Sequence, residues 1–523
     1  MIPFEDRIEI IRSCKYVDLA VPQYDMDKLN EAIFFPVVDG IVGGEVLTDL
    51  LKKYNSLPIQ VTASFWFLIC SFLQKGISVL TTPIFTRLLT TTEYGRFNIF
   101  NSWLGILTIF VTMNLYQGVY TQGLIKFDRE QNIFSSSLQG LTVVLVSAWT
   151  VMYLLFRNFW NELFSLTTLQ MLAMILMIWA TAVFSFWASE QRVRLSYKRL
   201  VAVTLAVSVA KPALSIILVL HSDDKVTARI LGLAFVELTG YIGLFIAQMK
   251  RGKKFYYGKF WKYAILYNLP LIPHYLSQTV LSSSDRIMIG NLVGEGAAGI
   301  YSLAYALSMI MTLFNSALSH TMGPWIYQKI RDKRSGDIAE VGYVALVIVA
   351  AVNILLIAFA PEIVAVFAPD SYYDAIWVIP PVAMSVYFIF AYDLFAKFQF
   401  YFEKTSFVML ASIIAASLNV SLNYIFIKLC GYYAAGYTTL VCYIVSTAGH
   451  YLFMRKICRE YMEGTKVYDL RILIIITVSF ITAGFSFLGL YNNVVLRYVL
   501  IIIICLVVFF KRGKLLTAVK KFL

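Results

Sequence analysis

Charge is scarce in this sequence. Asp, Glu, Lys and Arg make up 14% of its 523 residues, where a soluble domain carries about 25%. A chain so poor in charge cannot cover a water-facing surface of its size, which excludes a soluble multidomain protein. Metal-ligating residues are few as well. The sequence has 4 histidines and 6 cysteines, and Cys14, Cys70, Cys430, Cys442, Cys458 and Cys505 show no CxxC or other metal-like spacing. Neither a disulfide scaffold nor a metal site is expected. There is no HExxH, no Walker lysine and no nucleophile triad, and GEGAAG at 294–299 lies between apolar runs rather than at a strand-to-helix turn. No catalytic site is recognisable, so an enzyme is not expected, nor any cofactor. The polar breaks are short, leaving no room for a folded loop domain. No basic head with a short apolar core precedes the first long run, so a cleavable signal peptide is not expected and that run serves as the insertion signal.

What the chain has instead is apolar length. Hydrophobic residues make up 59% and the mean hydropathy is +0.71. Runs long enough to cross a bilayer recur from Ile59 onward and predict about fourteen spans. The first is read at 59–83, the seventh at 263–290, the tenth at 374–396, and the last two at 471–490 and 497–510. The runs are continuous rather than alternating, so the expected fold is an all-α membrane protein and not a barrel. The net charge of +13 would suggest nucleic acid in a soluble protein. Here its cations sit in alternate loops: Lys126 and Arg129, Arg192 to Arg199, Lys250 to Lys262, Lys329 to Arg334, Arg455 to Arg471, and the tail from Lys511. The intervening loops hold few, among them Arg87, Arg96, Lys225 and Arg229. Because Lys and Arg are enriched on the cytoplasmic side, both termini are expected there, and no nucleic-acid partner is implied.

The sequence also repeats. IFTRLLTTTEYGRFN at 84–98 can be laid on MIGNLVGEGAAGIYS at 288–302, which pairs Leu88 with Leu292, Gly95 with Gly299 and Phe97 with Tyr301. A weaker match sets FWASEQR at 186–192 beside FQFYFEK at 398–404. Inverted or parallel repeats of this kind build the two moving halves of many transporters. The expectation is two six-helix lobes in pseudo-twofold arrangement, at 58–250 and 251–457, with two further helices and a basic tail at 458–523.

Two segments, KGISVLTTPIFTRLLTTTEYG at 75–95 and SSDRIMIGNLVGEGAAGIYSLAYAL at 283–307, resemble the lobe openings of bacterial polysaccharide flippases. These are the O-antigen and capsule flippases of the multidrug, oligosaccharidyl-lipid and polysaccharide exporter superfamily. The resemblance spans about residues 58–510 and implies alternating-access transfer of an undecaprenyl-pyrophosphate-linked oligosaccharide across the bacterial cytoplasmic membrane. It also implies that a polysaccharide polymerase and glycosyltransferases work alongside. A cation-coupled drug exporter of the same superfamily is the main alternative. A membrane polymerase or ligase is a further one, though it would need a sizeable outer loop. Residues 1–57, with PFEDRIEIIRSCKYVDLAVPQYDMDKLNEA followed by FFPVVDGIVGGEV, are similar to the later part of a cytidylyltransferase-like domain. They lack its nucleotide-binding motifs and are expected to be a catalytically dead cytoplasmic remnant, either a disordered relic or a docking element.

Ionisable groups inside spans are costly, by about 2.5–3.5 kcal/mol on insertion scales, and are functional candidates for that reason. Lys75 in span one and Lys211 in span five are the expected substrate-binding cations, joined at span ends by Arg87 and Arg286. The bland alternative for a lysine is snorkelling or pairing with an acid. Glu237 in span six is a candidate for proton or sodium coupling, or else a helix-packing hydrogen bond. Asp285, which with Arg286 looks like the family's DR pair, is expected at a gate or in a surface ion pair. Asp393 is a weaker coupling or gating candidate, expected rather to pair with Lys397 at the interface, and His274 is expected to be a pH-sensitive or merely structural group. Pro212, Pro270 and Pro273 are the expected hinges, because proline removes a backbone donor.

Overall fold

The computed structural model describes residues 58–503 except Thr405. The expected remnant at 1–57 and the basic tail lie outside the described residues. Everything regular within them is helical. In chain order the helices are α1 (Ile59–Leu88), α2 (Thr91–Thr112), α3 (Val119–Lys126), α4 (Gln131–Leu155), α5 (Arg157–Phe164), α6 (Thr168–Val193), α7 (Tyr197–Leu220), α8 (Lys225–Gly252) and α9 (Gly258–Asn268). They continue as α10 (Ile272–Leu292), α11 (Glu295–Met309), α12 (Met311–Arg331), α13 (Ser335–Ala358), α14 (Ala360–Phe367), α15 (Ile379–Tyr401), α16 (Ser406–Cys430), α17 (Ala434–Tyr461) and α18 (Leu470–Gly489), then α19 (Val494–Ile503). Among the described residues 10 helices are long and apolar enough to cross a membrane. The remaining expected spans fall on α2, on the α9–α10 pair, on α17 and on the short α19.

The helices begin and end where local chemistry dictates. At the start of α2 the Thr90 side chain accepts from the Glu93 N–H while Glu93 reaches back to the Thr90 N–H, a capping box. Thr167 and Gln170 repeat the device at α6, and Asp224 and Asp469 cap α8 and α18. Large apolar side chains such as Leu80, Leu155, Ile475 and Val495 are largely exposed along the bundle exterior. Continuous apolar surface of this extent is stable only against hydrocarbon.

Packing follows a doubled pattern. In the first half α1 packs on α7, α7 on α8, and α6 on α8. In the second half the corresponding contacts are α10 on α16, α16 on α17, and α15 on α17. The α18 helix lies against α13 and α15. Two readings of span position are corrected. The tenth span starts at Ile379 rather than 374, because a 3-10 helix at Asp370–Trp377 precedes it and Pro380 and Pro381 occupy the first helical turn. The seventh is not one helix: a 3-10 turn at Leu269–Leu271 divides α9 from α10.

Candidate functional site

The two halves meet at one rim, and they meet as equivalents. A methyl group added at Gly95 of α2 would run into the Glu295 carbonyl, and one at Gly299 of α11 would run into the Thr91 carbonyl. The repeat alignment that pairs Gly95 with Gly299 also pairs Thr91 with Glu295, so each half presents the same glycine to the same backbone position of the other. Such mutual contact between equivalent positions is what a twofold axis produces. Around this crossing Arg96 pairs with Glu295 at 2.5 Å. Thr86 donates to the Phe367 carbonyl at 2.6 Å, and the Tyr372 hydroxyl donates to the Leu89 carbonyl at 3.3 Å. Arg87 donates to the Val366 carbonyl at 2.9 Å and the Pro83 carbonyl at 3.0 Å. It therefore ties α1 to the second half at the rim and does not stand as a free cation.

Away from that rim, α9 belongs by contact to the first half. Phe260 is fully buried among Phe127, Phe134 and Tyr120. Asn268 donates to the Met113 and Asn114 carbonyls at 2.7 and 2.9 Å, and Trp261 donates to the Ser137 carbonyl at 2.8 Å. By contrast α10 packs on α2, α11 and α16. The break between them carries Pro270, with Pro273 in the first turn of α10. Pro212 lies inside the uninterrupted α7. His274 follows the break, half-buried, with its Nδ1 lacking a hydrogen-bond partner.

The expected charges fall into different settings. Lys75 lies near the middle of α1, exposed, and makes no hydrogen bond or ion pair among the described residues. Lys211 and Glu237 are not separate sites, as the sequence alone suggested, but one ion pair of 2.5 Å between α7 and α8. Their side chains are 27% and 6% exposed, and Thr181 of α6 donates to the other carboxylate oxygen at 3.4 Å. Pairing is the physical resolution of two opposite charges placed inside an apolar bundle.

Asp285 is not in a surface ion pair: it is 1% exposed. Its carboxylate accepts from the Tyr301 hydroxyl at 2.5 Å, the Asn423 amide at 2.6 Å and the Thr439 hydroxyl at 3.1 Å. Asn423 also donates to the Asn419 side-chain carbonyl at 3.1 Å, and the Thr438 hydroxyl donates to Asn423. All these partners belong to the second half, so Asp285 does not bridge the two. Its neighbour Arg286 lies 4.3 Å from the Tyr305 ring and donates to the Ser282 carbonyl at 3.1 Å. Asp393 pairs with Lys397 at 3.0 Å, both bonded to Ser319. The expected pair is therefore present, with Lys397 buried and Asp393 partly exposed, one turn before the end of α15.

Two groups escaped sequence reasoning. Glu190 of α6 is 1% exposed and receives both Arg251 guanidinium nitrogens at 2.9 and 3.0 Å, Arg194 at 2.8 Å and the Gln248 amide at 2.7 Å. The signal was present in FWASEQR, whose acid lies four residues before Arg194, but the α8 partner could not be read from it. Arg229 looked like an ordinary loop cation. Its guanidinium is sandwiched between Phe85 of α1 and Phe97 of α2, at 3.7 and 3.5 Å from their ring centroids.

Comparison with known proteins places this arrangement. The solved structure of the lipid II flippase MurJ in an inward closed conformation superposes with a TM-score of 0.64 at 13% identity, over 85% of this chain and 98% of that one. An inward-facing multidrug resistance MATE transporter of the MOP superfamily gives 0.56 at 14% identity, over 75% and 96%. The Lsg locus putative protein 1 of Haemophilus influenzae is 22% identical over 287 residues, 51% of this chain and 66% of that protein's length. The MatE family profile matches residues 270–425 and that of the polysaccharide biosynthesis protein family matches residues 61–329. The chain is a multi-span helical membrane protein with the fold of the MOP superfamily, and it belongs to the polysaccharide biosynthesis protein family.

Proposed function

We propose that the protein flips an undecaprenyl-pyrophosphate-linked oligosaccharide from the inner to the outer leaflet of the bacterial cytoplasmic membrane, for surface polysaccharide assembly. The observation that carries this reading is the combination of a rim sealed by reciprocal glycine contacts with an unpaired lysine midway along α1. A lone ammonium facing hydrocarbon is costly, so Lys75 is expected to face a water-filled cleft between the halves, open at the rim opposite the seal. There it would meet the substrate's pyrophosphate, in surroundings where charge attraction exceeds that in water. The family match supports a polysaccharide substrate, and the fold relative named for flipping lipid II supports a lipid-linked one. In this orientation both termini lie in the cytoplasm and the glycine-sealed rim faces outward.

Alternating access then requires the seal to open while the other rim closes. The break between α9 and α10 is the expected hinge, since α9 is anchored in the first half while α10 packs on α11 and α16 of the second and meets α2 across the rim. Asp285, held only by neutral donors, is the expected seat of a coupling proton or sodium ion, with Asn419, Asn423 and Thr439 supplying further oxygens. The drug-exporter alternative would call for an acidic cleft.

Transfer of a radiolabelled polyprenyl-pyrophosphate oligosaccharide between leaflets of reconstituted vesicles tests the reading. Lys75→Ala should lower the rate at least tenfold with normal insertion. An unchanged rate would remove the cationic-cleft mechanism, and export of organic cations with no lipid transfer would favour the alternative.

A further inference from the structure

A small cavity of about 90 Å³ lies at the end of α17, where the chain turns into α18. Its walls include Arg455, Arg459, Gly464, Thr465, Lys466 and Tyr468. The two arginines sit four residues apart and so share one helix face. The turn that follows brings the other groups back beside them. Gly464 has φ +78, a left-handed conformation that glycine adopts without strain. Its N–H donates to the Cys458 carbonyl at 3.3 Å, while the Thr465 N–H donates to the Met462 carbonyl at 3.0 Å. Thr465 and Lys466 are thereby folded against the arginine face.

The charge in this cavity is one-sided. No carboxylate lines it, and Arg455, Arg459 and Lys466 make no ion pair among the described residues. Glu460 adjoins Arg459 in sequence but is not part of the lining, and two other nearby acids are engaged elsewhere. Glu463 pairs with Lys333 at 3.3 Å, and Asp469 accepts from the Arg471 N–H at 2.8 Å at the start of α18. All three cations are exposed, and all three line the same space, which is several times larger than the roughly 10–15 Å³ that one water requires. Guanidinium groups present paired donors that match phosphate oxygens, and an ammonium adds a point charge.

We propose that this cavity binds a phosphoryl group, with Arg455 and Arg459 as the forked donors and Lys466 as the neutralising charge. The ligand is either free phosphate or the phosphate of a lipid headgroup, and the site stands whether or not the protein carries lipid-linked sugars.

The test uses the full chain in detergent, with inorganic phosphate as the first probe. Its thermal midpoint is followed against phosphate concentration, with chloride at matched ionic strength as reference. The second probe is nanodiscs containing phosphatidic acid, compared with phosphatidylcholine alone. A phosphate-dependent rise that is kept in Lys456→Ala, a neighbouring cation outside the lining, and weakened at least tenfold in the R455A/R459A/K466A variant supports a free-phosphate site. The same contrast seen only in phosphatidic acid nanodiscs supports a headgroup site. Arg459→Gln, a single exposed change, gives the same reading should the triple variant not insert. Equal responses of wild type and variants to both probes would overturn the proposal.

Discussion

The two halves of the molecule share their helix contacts but not their polar interiors. In the first, each buried carboxylate meets a cation: Glu190 meets Arg251 and Arg194, and Glu237 meets Lys211. In the second, the partly exposed Asp393 meets Lys397, but the fully buried Asp285 takes its hydrogen bonds only from the neutral donors Tyr301, Asn423 and Thr439. The two halves thus share a backbone frame, in which small and apolar residues decide which helices touch, while their buried chemistry differs. The difference matters physically. A carboxylate closed into an ion pair is a fixed structural element, because separating the charges in an apolar interior is expensive. One held by neutral hydroxyl and amide groups retains a charge that a mobile cation can neutralise.

The strongest challenge to this contrast is to cut the first half's ion pair. Lys211→Met leaves Glu237 charged, buried and uncompensated, which should cost about 3–5 kcal/mol. The double variant K211M/E237L, which replaces both partners with apolar groups, should recover most of that loss. Detergent-dependent unfolding, followed by helical signal, measures both. A Lys211→Met protein as stable as wild type would show that the pair is not structural, and the first half would lose its distinction from the second.

The shared backbone can be tested through its symmetry. Gly95→Leu and Gly299→Leu each force a side chain into the partner's carbonyl, an overpacking cost of about 1–3 kcal/mol. Because the contacts are reciprocal, the two losses should be similar. Thr92 and Gly296 face one another across the same rim, where a methyl at 296 would lie 3.5 Å from the Thr92 hydroxyl. Disulfide yield between cysteines placed at these two positions reports closure. Each leucine should reduce it about tenfold, the equivalent of about 1.4 kcal/mol. A large effect from one glycine and none from the other would break the pseudo-twofold description.

The parts of this architecture legible in the sequence were those set by local patterns. Continuous apolar runs marked the helices, and Gly95 and Gly299 marked the repeat register because their spacing from Leu88 and Leu292 is preserved. Pro270 and Pro273 marked the place where a long span divides. What stayed hidden depends on which helix faces meet. Nothing in the spacing of Lys211 and Glu237 says that α7 and α8 turn those positions toward each other, nor that Arg251 closes on Glu190. Likewise AIWVIPP at 375–381 reads as uninterrupted apolar sequence, yet its prolines begin the helix only at Ile379. The boundary expected at 250/251 gave α9 to the second half, whereas its aromatic anchors lie in the first, a fact of tertiary packing alone.

The finest probe of the contrast is a single atom exchange in the second half. Asp285→Asn keeps the shape and still accepts from Tyr301, but its amide group opposes the Asn423 donor. One hydrogen bond is therefore lost, for about 1 kcal/mol of stability. The consequence for transport should be disproportionate to that small cost. If Asp285 seats the coupling cation, vesicles carrying the variant should move substrate at a rate indifferent to an imposed sodium or proton gradient, while wild type responds to one of them. The paired acid of the first half supplies the control: E237L in the K211M background should leave gradient dependence intact. Gradient dependence that persists in Asp285→Asn would place coupling elsewhere and reduce the neutral network around Asp285 to helix packing.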